Sequence, residues 1–135
     1  MKNIVIIGGG ASGLLTSIII KKDLNDEANV TIVERLDRIG KKILATGNGR
    51  CNFSNELLSS QKYNNPDFVR FLFKRFGYTE TVNFFEDLGL ISKVLVEGRT
   101  YPVTESAASL LDVMRQEVVR LGINVEVSTE VKKIK

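Results

Sequence analysis

Near the N-terminus the run Gly8-Gly9-Gly10-Ala11-Ser12-Gly13 puts glycine at the three fixed places of a GxGxxG pattern. That spacing suits the binding of a pyrophosphate. Gly8 permits a tight turn, Gly10 offers no side chain to block a phosphate from the backbone, and Gly13 lets a following helix pack close to a strand. A helix starting there presents unpaired N–H groups and the positive end of its dipole to an anion. The dipole is worth only about 0.3–1 kcal/mol at an exposed site, so direct backbone hydrogen bonds matter more. Further along stands Glu34, at the end of the next apolar segment. A carboxylate there can accept hydrogen bonds from ribose hydroxyls, each worth about 1.5–3 kcal/mol because the acceptor is charged. It would repel a 2′-phosphate, which argues against NADP but does not separate FAD from NAD.

These residues need particular elements around them. Residues 3–7 (Asn3-Ile4-Val5-Ile6-Ile7) form a β-branched run ending at glycine, expected as a strand buried on both faces of a parallel sheet. Residues 14–22 are expected as a largely apolar helix and 29–34 as a second strand, which completes a βαβ unit. An ordinary mononucleotide-binding fold would continue with another helix. Residues 35–65 instead carry Gly40, Gly47 and Gly49 among Asn48, Asn52, Ser54 and Asn55, with room for one short helical turn at 41–45. Such a long ordered loop is usually functional, and it could wrap the far half of a large cofactor where a tight crossover helix could not. This favours FAD over NAD.

Downstream, Asn65-Pro66 has the pattern of an N-cap and first helical residue, with Phe68, Phe71, Leu72 and Phe76 on one face and Gly77 as a stop. Thr79 is expected to cap a second helix with Val82, Phe85 and Leu88 inward. A strand over 91–97 and a short return through Tyr101-Pro102 follow. Residues 106–121 keep helical spacing through Ala107, Leu110, Leu111, Met114, Val118 and Leu121, and Gly122 stops the helix. Strands are expected at 123–127 and 130–134. The fold class is thus α/β: a Rossmann-like, FAD-binding three-layer fold with a parallel sheet and helices, interrupted by a helical and short β excursion. The whole of 1–135 is expected to be one N-terminal FAD/NAD(P)-binding domain, truncated because its last strand has no partner in the sequence.

Composition excludes several chemistries. The 135 residues are 43% hydrophobic and 26% charged, in the globular range, with a net charge of +3. No histidine occurs, so a Ser-His or Cys-His pair and a His-containing metal site are excluded within the chain, and no metal is expected. Cys51 is the lone cysteine, which excludes a CxxC pair. Arg50 beside it could lower its pKa, but without a partner thiol or His a cofactor-lining or buried role is favoured. The Phe68 to Phe85 aromatics are expected as core, which weighs against a nucleic-acid partner. No signal peptide and no apolar run of membrane-spanning length is present, so a cytoplasmic location without a membrane partner is expected.

The stretch from Arg35 to Arg50 gathers Arg35, Arg38, Lys41, Lys42 and Arg50 against one acid, Asp37, and Gly40-Lys41-Lys42 could offer charge and N–H groups to a phosphate. Here the sequence resembles a known family. The GGGASG loop, Glu34-Arg35, residues 39–52 (IGKKILATGNGRCN) and Ser54-Asn55 are similar to the NAD(P)/FAD-dependent oxidoreductases of the BaiN type, which include aminoacetone oxidase-like proteins. Gly98-Arg99, Tyr101-Pro102 and Gly122-Ile123 also fit. The resemblance implies that Gly8, Gly10, Ala11, Ser12 and Gly13 hold the FAD pyrophosphate and that Glu34 holds the adenosine ribose. It places Arg35, Gly40 and Lys42 along the adenosine and phosphate side, Thr46, Gly47, Asn48, Gly49, Arg50, Cys51 and Asn52 toward the flavin half, and Val131 at the adenine edge. It also implies a flavoenzyme parent, longer than this chain, with a small-molecule substrate and NAD(P)H as a candidate electron donor. No catalytic residue is singled out. The alternatives are an NAD-binding dehydrogenase module and a segment of a tRNA-modification-type flavoprotein.

Overall fold

The computed structural model of the protein describes residues 1–134. In chain order its elements are β1 (Lys2–Ile7), α1 (Ala11–Leu24), β2 (Ala28–Val33), β3 (Ser54–Asn55), α2 (Pro66–Phe73), α3 (Tyr78–Asp87), β4 (Ser92–Val94), β5 (Arg99–Pro102), α4 (Ala107–Arg120) and β6 (Asn124–Glu126), with 3₁₀ turns between them. The chain divides into two units, residues 46–110 and the segments on either side of them.

The first unit is a Rossmann-type α/β layer. Its sheet runs β1-β2-β6, all parallel, with Ile4 paired to Val30, Ile6 to Ile32 and Ile32 to Val125. Alternation places Ala28, Val30 and Ile32 on one face of β2, and all three are buried. Leu14 and Ile18 of α1 and Leu111, Met114 and Val118 of α4 are buried too. Each such aliphatic side chain contributes about 1.5–3 kcal/mol on leaving water. An ion cluster ties α4 to α1. Glu117, with its side chain only 9% exposed, receives Lys22 Nζ at 3.1 Å and Arg120 through Nε at 2.6 Å and Nη2 at 2.8 Å. The Arg120 hydrogen bonds, then Lys22, hold the Glu117 carboxyl at about 2, against a desolvation that pushes it up.

The second unit has a small antiparallel sheet, β3-β5-β4, with α2 and α3. Asn65 caps α2 as expected, accepting the Phe68 N–H at 3.2 Å. The cap of α3 is Gly77, not Thr79. Its N–H donates to Glu80 at 2.8 Å, so the reciprocal half of a capping box forms without a capping hydroxyl.

Three expectations fail for one reason, the absence of a partner surface among the described residues. β1 is an edge strand with Val5 60% and Ile7 54% exposed, so only its Ile4 and Ile6 face is covered. Residues 130–134 form no strand. The chain bonds through Ser128 and Thr129 to the carbonyls of Leu36 and Glu34, and then has no neighbouring strand with which to build a ladder. The aromatics of α2 and the turn after it are not core: Phe68, Phe71 and Phe76 are exposed, and no residue of α2 is buried. Phe53 and Phe84 pack edge-on against the buried Phe85, and Phe73 of α2 packs edge-on against Tyr63. No helix among the described residues is long and apolar enough to cross a membrane.

Because the Glu117 pKa is lowered by folding, its stabilisation is fully present above the unfolded carboxylate range. It is lost as pH falls from about 4.5 toward about 2. Glu117→Gln is expected to cost about 1–3 kcal/mol at pH 7, since a nearly buried charged hydrogen bond is removed. Urea titrations should show that cost shrinking at pH 2.5. A cost equal at both pH values would exclude the charged cluster as its cause.

Candidate functional site

β1 delivers the chain to the glycine loop, and the loop starts α1 without a gap. Gly8 turns with φ +98°, and its N–H is tied to Val33 O at 2.8 Å. A Cβ on Gly13 would lie 1.9 Å from the Gly8 carbonyl oxygen, so only glycine allows the helix this close to the strand end. A Cβ on Gly10 would meet nothing within 4 Å, so the fold itself does not require glycine there. Space is kept open at the N-cap of a fourteen-residue helix with no side-chain cap and no acid in its first turn. The unsatisfied N–H groups of that turn suit a phosphate. Ala11 and Ser12 lie in this turn, both exposed.

Glu34 follows β2. One carboxylate oxygen accepts the Gly9 N–H at 2.7 Å and the other accepts the Leu36 N–H at 2.8 Å. The Leu36 bond most of all, then the Gly9 bond and the Arg35 charge, hold this carboxyl below the usual range in spite of desolvation. Each oxygen has two lone pairs, so acceptor capacity for ribose hydroxyls is left over.

A cavity of about 190 Å³ is lined by Gly8, Gly9, Gly10, Glu34, Arg35, Leu36, Arg38, Gly40, Lys41 and Lys42. It brings together the expected Gly8, Gly10, Glu34, Arg35, Gly40 and Lys42. Gly9, Leu36, Arg38 and Lys41 were missed as site residues, although the run of basic residues already pointed to Arg38 and Lys41. Lys41 pairs with Asp37 at 3.0 Å, whereas Arg35, Arg38 and Lys42 have no acidic partner among the described residues. The Gly40 N–H is not available to a phosphate, because it donates to Gly9 O at 2.7 Å. Gly40 has φ +74°, and a Cβ there would strike Leu111 at 2.1 Å. Val131 is half-exposed, two residues beyond the Thr129 bond to Glu34.

The remaining expected residues form their own loop in the second unit. Gly47, Asn48, Gly49 and Cys51 all have positive φ, and the loop closes through Cys51 N–H to Thr46 O at 3.0 Å and Arg50 N–H to Gly47 O at 3.2 Å. Non-glycine residues take this conformation uncommonly, and such clusters occur at functional sites. The Asn52 amide, oriented to donate, reaches Ser54 O at 2.9 Å and Thr100 O at 3.2 Å. Arg50 pairs with Glu105 at 3.2 Å and lies 5.0 Å above the Tyr101 ring. It does not activate Cys51: the thiol is buried and bonded to Thr46, and desolvation pushes its pKa up.

The HI0933-like protein Rossmann domain matches residues 2–135. The chain belongs to that family. It is 43% identical to the 3-dehydro-bile acid Δ(4,6)-reductase of Clostridium scindens over all of this chain and 33% of the relative. It is 26% identical to the ribosomal RNA dihydrouridine synthase of Haemophilus influenzae over 96% of this chain and 32% of that protein. The HI0933-like chain thus spans about a third of the length of the curated relatives it matches. Among solved structures, Thermovibrio ammonificans THI4 superposes with a TM-score of 0.60 at 18% identity, covering 93% of this chain and 38% of that one. The 3-ketosteroid-Δ4-(5α)-dehydrogenase of Rhodococcus jostii RHA1, solved with 4-androstene-3,17-dione, gives 0.57 at 15% identity over 97% and 39%. At these identities the likeness concerns the fold. The HI0933-like chain is a Rossmann-type dinucleotide-binding segment.

Two glycines separate fold from ligand. Gly13→Ala is expected to lower stability by more than about 2 kcal/mol, because its Cβ would enter the Gly8 carbonyl. Gly10→Ala should leave the unfolding midpoint nearly unchanged. Equal midpoints for the two variants would refute this division. Cys51 should also react with Ellman's reagent far more slowly in the native protein than in urea, and equal rates would show an accessible thiol.

Proposed function

We propose that this chain is the FAD-binding segment of a flavin-dependent oxidoreductase. The observation that carries the reading is the cavity lined by the glycine-loop backbone, Glu34 and three cations, Arg35, Arg38 and Lys42, that have no acidic partner among the described residues. In this reading the pyrophosphate rests on the first turn of α1, and Glu34 accepts from the adenosine ribose through its unused lone pairs. Arg35 and Lys42 neutralise phosphate charge, and Val131 borders the adenine. Residues 46–52, from Thr46 to Asn52, serve the flavin half, where a rigid left-handed loop presents backbone groups with little ordering cost.

The flavin, when bound, supplies the hydride or electron chemistry, and the protein supplies binding, orientation and electrostatics. NAD(P)H is the proposed electron donor of the longer parent and a small molecule its substrate. Because the 43% identical relative is named for a 3-dehydro-bile acid, an unsaturated steroid ketone is the first substrate to try.

One observation favours a second reading, a flavoprotein that modifies RNA. The exposed Phe68, Phe71 and Phe76 alternate with Arg70, Lys74 and Arg75, and Arg75 lies 4.6 Å over the Phe71 ring. Exposed aromatics among cations can stack bases, and the 26% identical relative is named for ribosomal RNA. Salt-dependent retardation of RNA by the parent, lost in Phe68→Ala/Phe71→Ala, would favour it.

FAD titrated into the 135-residue chain is expected to bind saturably, with binding lost in Glu34→Ala and Gly10→Val. A folded chain that binds no FAD would call for the same titration on the parent, and failure there would overturn the flavoprotein reading.

A further inference from the structure

Two peptide units connect the glycine loop to a side chain far from it in sequence. Arg115, on α4, donates from Nη2 to the Ile39 carbonyl at 2.6 Å and makes no ion pair among the described residues. The other end of that same peptide is the Gly40 N–H, which donates to the Gly9 carbonyl at 2.7 Å. The other end of the Gly9 carbonyl's peptide is the Gly10 N–H, at the N-cap of α1 where the cavity opens.

No peptide among the described residues is cis. In a trans peptide the C=O and N–H point in opposite directions within one plane. Fixing the Gly9 carbonyl on Gly40 therefore fixes the direction of the Gly10 N–H. Fixing the Ile39 carbonyl on Arg115 does the same for Gly40. The bonds also polarise one another, since hydrogen-bonded peptide chains strengthen by about 10–30% per bond in condensed phases. The Arg115 charge stands at the head of that chain, so it increases the donor strength of the last N–H.

We propose that Arg115 is a positioning residue for the phosphate subsite, acting through the Ile39–Gly40 and Gly9–Gly10 peptides to aim and polarise the Gly10 N–H toward an anion. This rests on the dinucleotide reading of the glycine loop. Arg115 is not among the residues that line the cavity. Its effect passes through backbone that substitution elsewhere on α4 leaves in place.

The test uses the 135-residue chain, ¹⁵N-labelled, as wild type, Arg115→Met, Arg115→Lys and Arg120→Met. Arg120→Met removes the same charge from α4 but is bonded to Glu117, not to Ile39. In Arg115→Met the Gly40 and Gly10 amide proton resonances should move upfield while those of Leu14 and Ile18 stay. FAD affinity should fall about three- to tenfold, the size of a partial loss of one charge-assisted hydrogen bond. Arg115→Lys, which keeps a charged donor, should restore part of both changes, and Arg120→Met should produce neither. Unmoved Gly40 and Gly10 amides in folded Arg115→Met would overturn the proposal, whatever the affinity does. So would moved amides with unchanged affinity. If Arg115→Met does not fold, Arg115→Lys decides by the same two readouts. If the wild-type chain binds no FAD, the flavin reading fails by itself, and titration of sodium pyrophosphate against the same amides decides the positioning claim.

Discussion

A Cβ at Gly13 would lie 1.9 Å from the Gly8 carbonyl oxygen, and the geometry of the glycine loop follows from that closeness. With glycine there, α1 begins immediately beyond the strand and packs Leu14 and Ile18 against β2. With any other residue the helix would have to move away, and the uncapped first turn would no longer sit at the end of the sheet. The same closeness leaves Gly9 and Gly10 as a short span with few ways to satisfy their backbone. Gly9 is satisfied by reaching across: its N–H donates to Glu34, and its C=O accepts the Gly40 N–H. The loop is therefore ordered by bonds to the segment after β2.

That segment is held in turn by its own set of bonds. Glu34 O receives Thr129 N–H, Leu36 O receives Ser128 N–H, and Ile39 O receives Arg115. Glu34 thus has two roles available at once. Its carboxylate organises the glycine loop, and it keeps lone pairs that those two bonds do not use. The local charge is less uniform than its residue count implies, because Asp37 engages Lys41, while Arg35, Arg38 and Lys42 have no acidic partner among the described residues.

The second unit shows a different economy of sequence. Its loop of residues 46–52 concentrates four positive-φ residues and closes on its own carbonyls through two backbone hydrogen bonds. Its helix α2 shows the reverse: it is well capped and strongly sided, yet its apolar side is exposed. Helical spacing tells that residues share a face, but the burial of that face depends on what else is present to cover it. For the same reason the apolar run of β1 is only half covered and the alternation in residues 130–134 forms no ladder.

The residues by themselves determined the local features. Gly8 and Gly13 specified the turn and helix start, Glu34 the acid at the strand end, and Asn65-Pro66 the α2 cap. The periodic α4 and the parallel character of the sheet were also legible, because each depends on backbone conformation or on hydrophobic spacing over a short stretch, whereas the strand order β1-β2-β6 was not. Only the tertiary structure decided that Gly9 bonds Glu34 across 25 residues, that Arg115 bonds Ile39 across 76, and that Glu117 is nearly buried between two cations. Those partners are selected by where folded segments come to lie. A hydrogen bond between distant residues leaves no periodicity in the chain, so no spacing in the sequence can announce it.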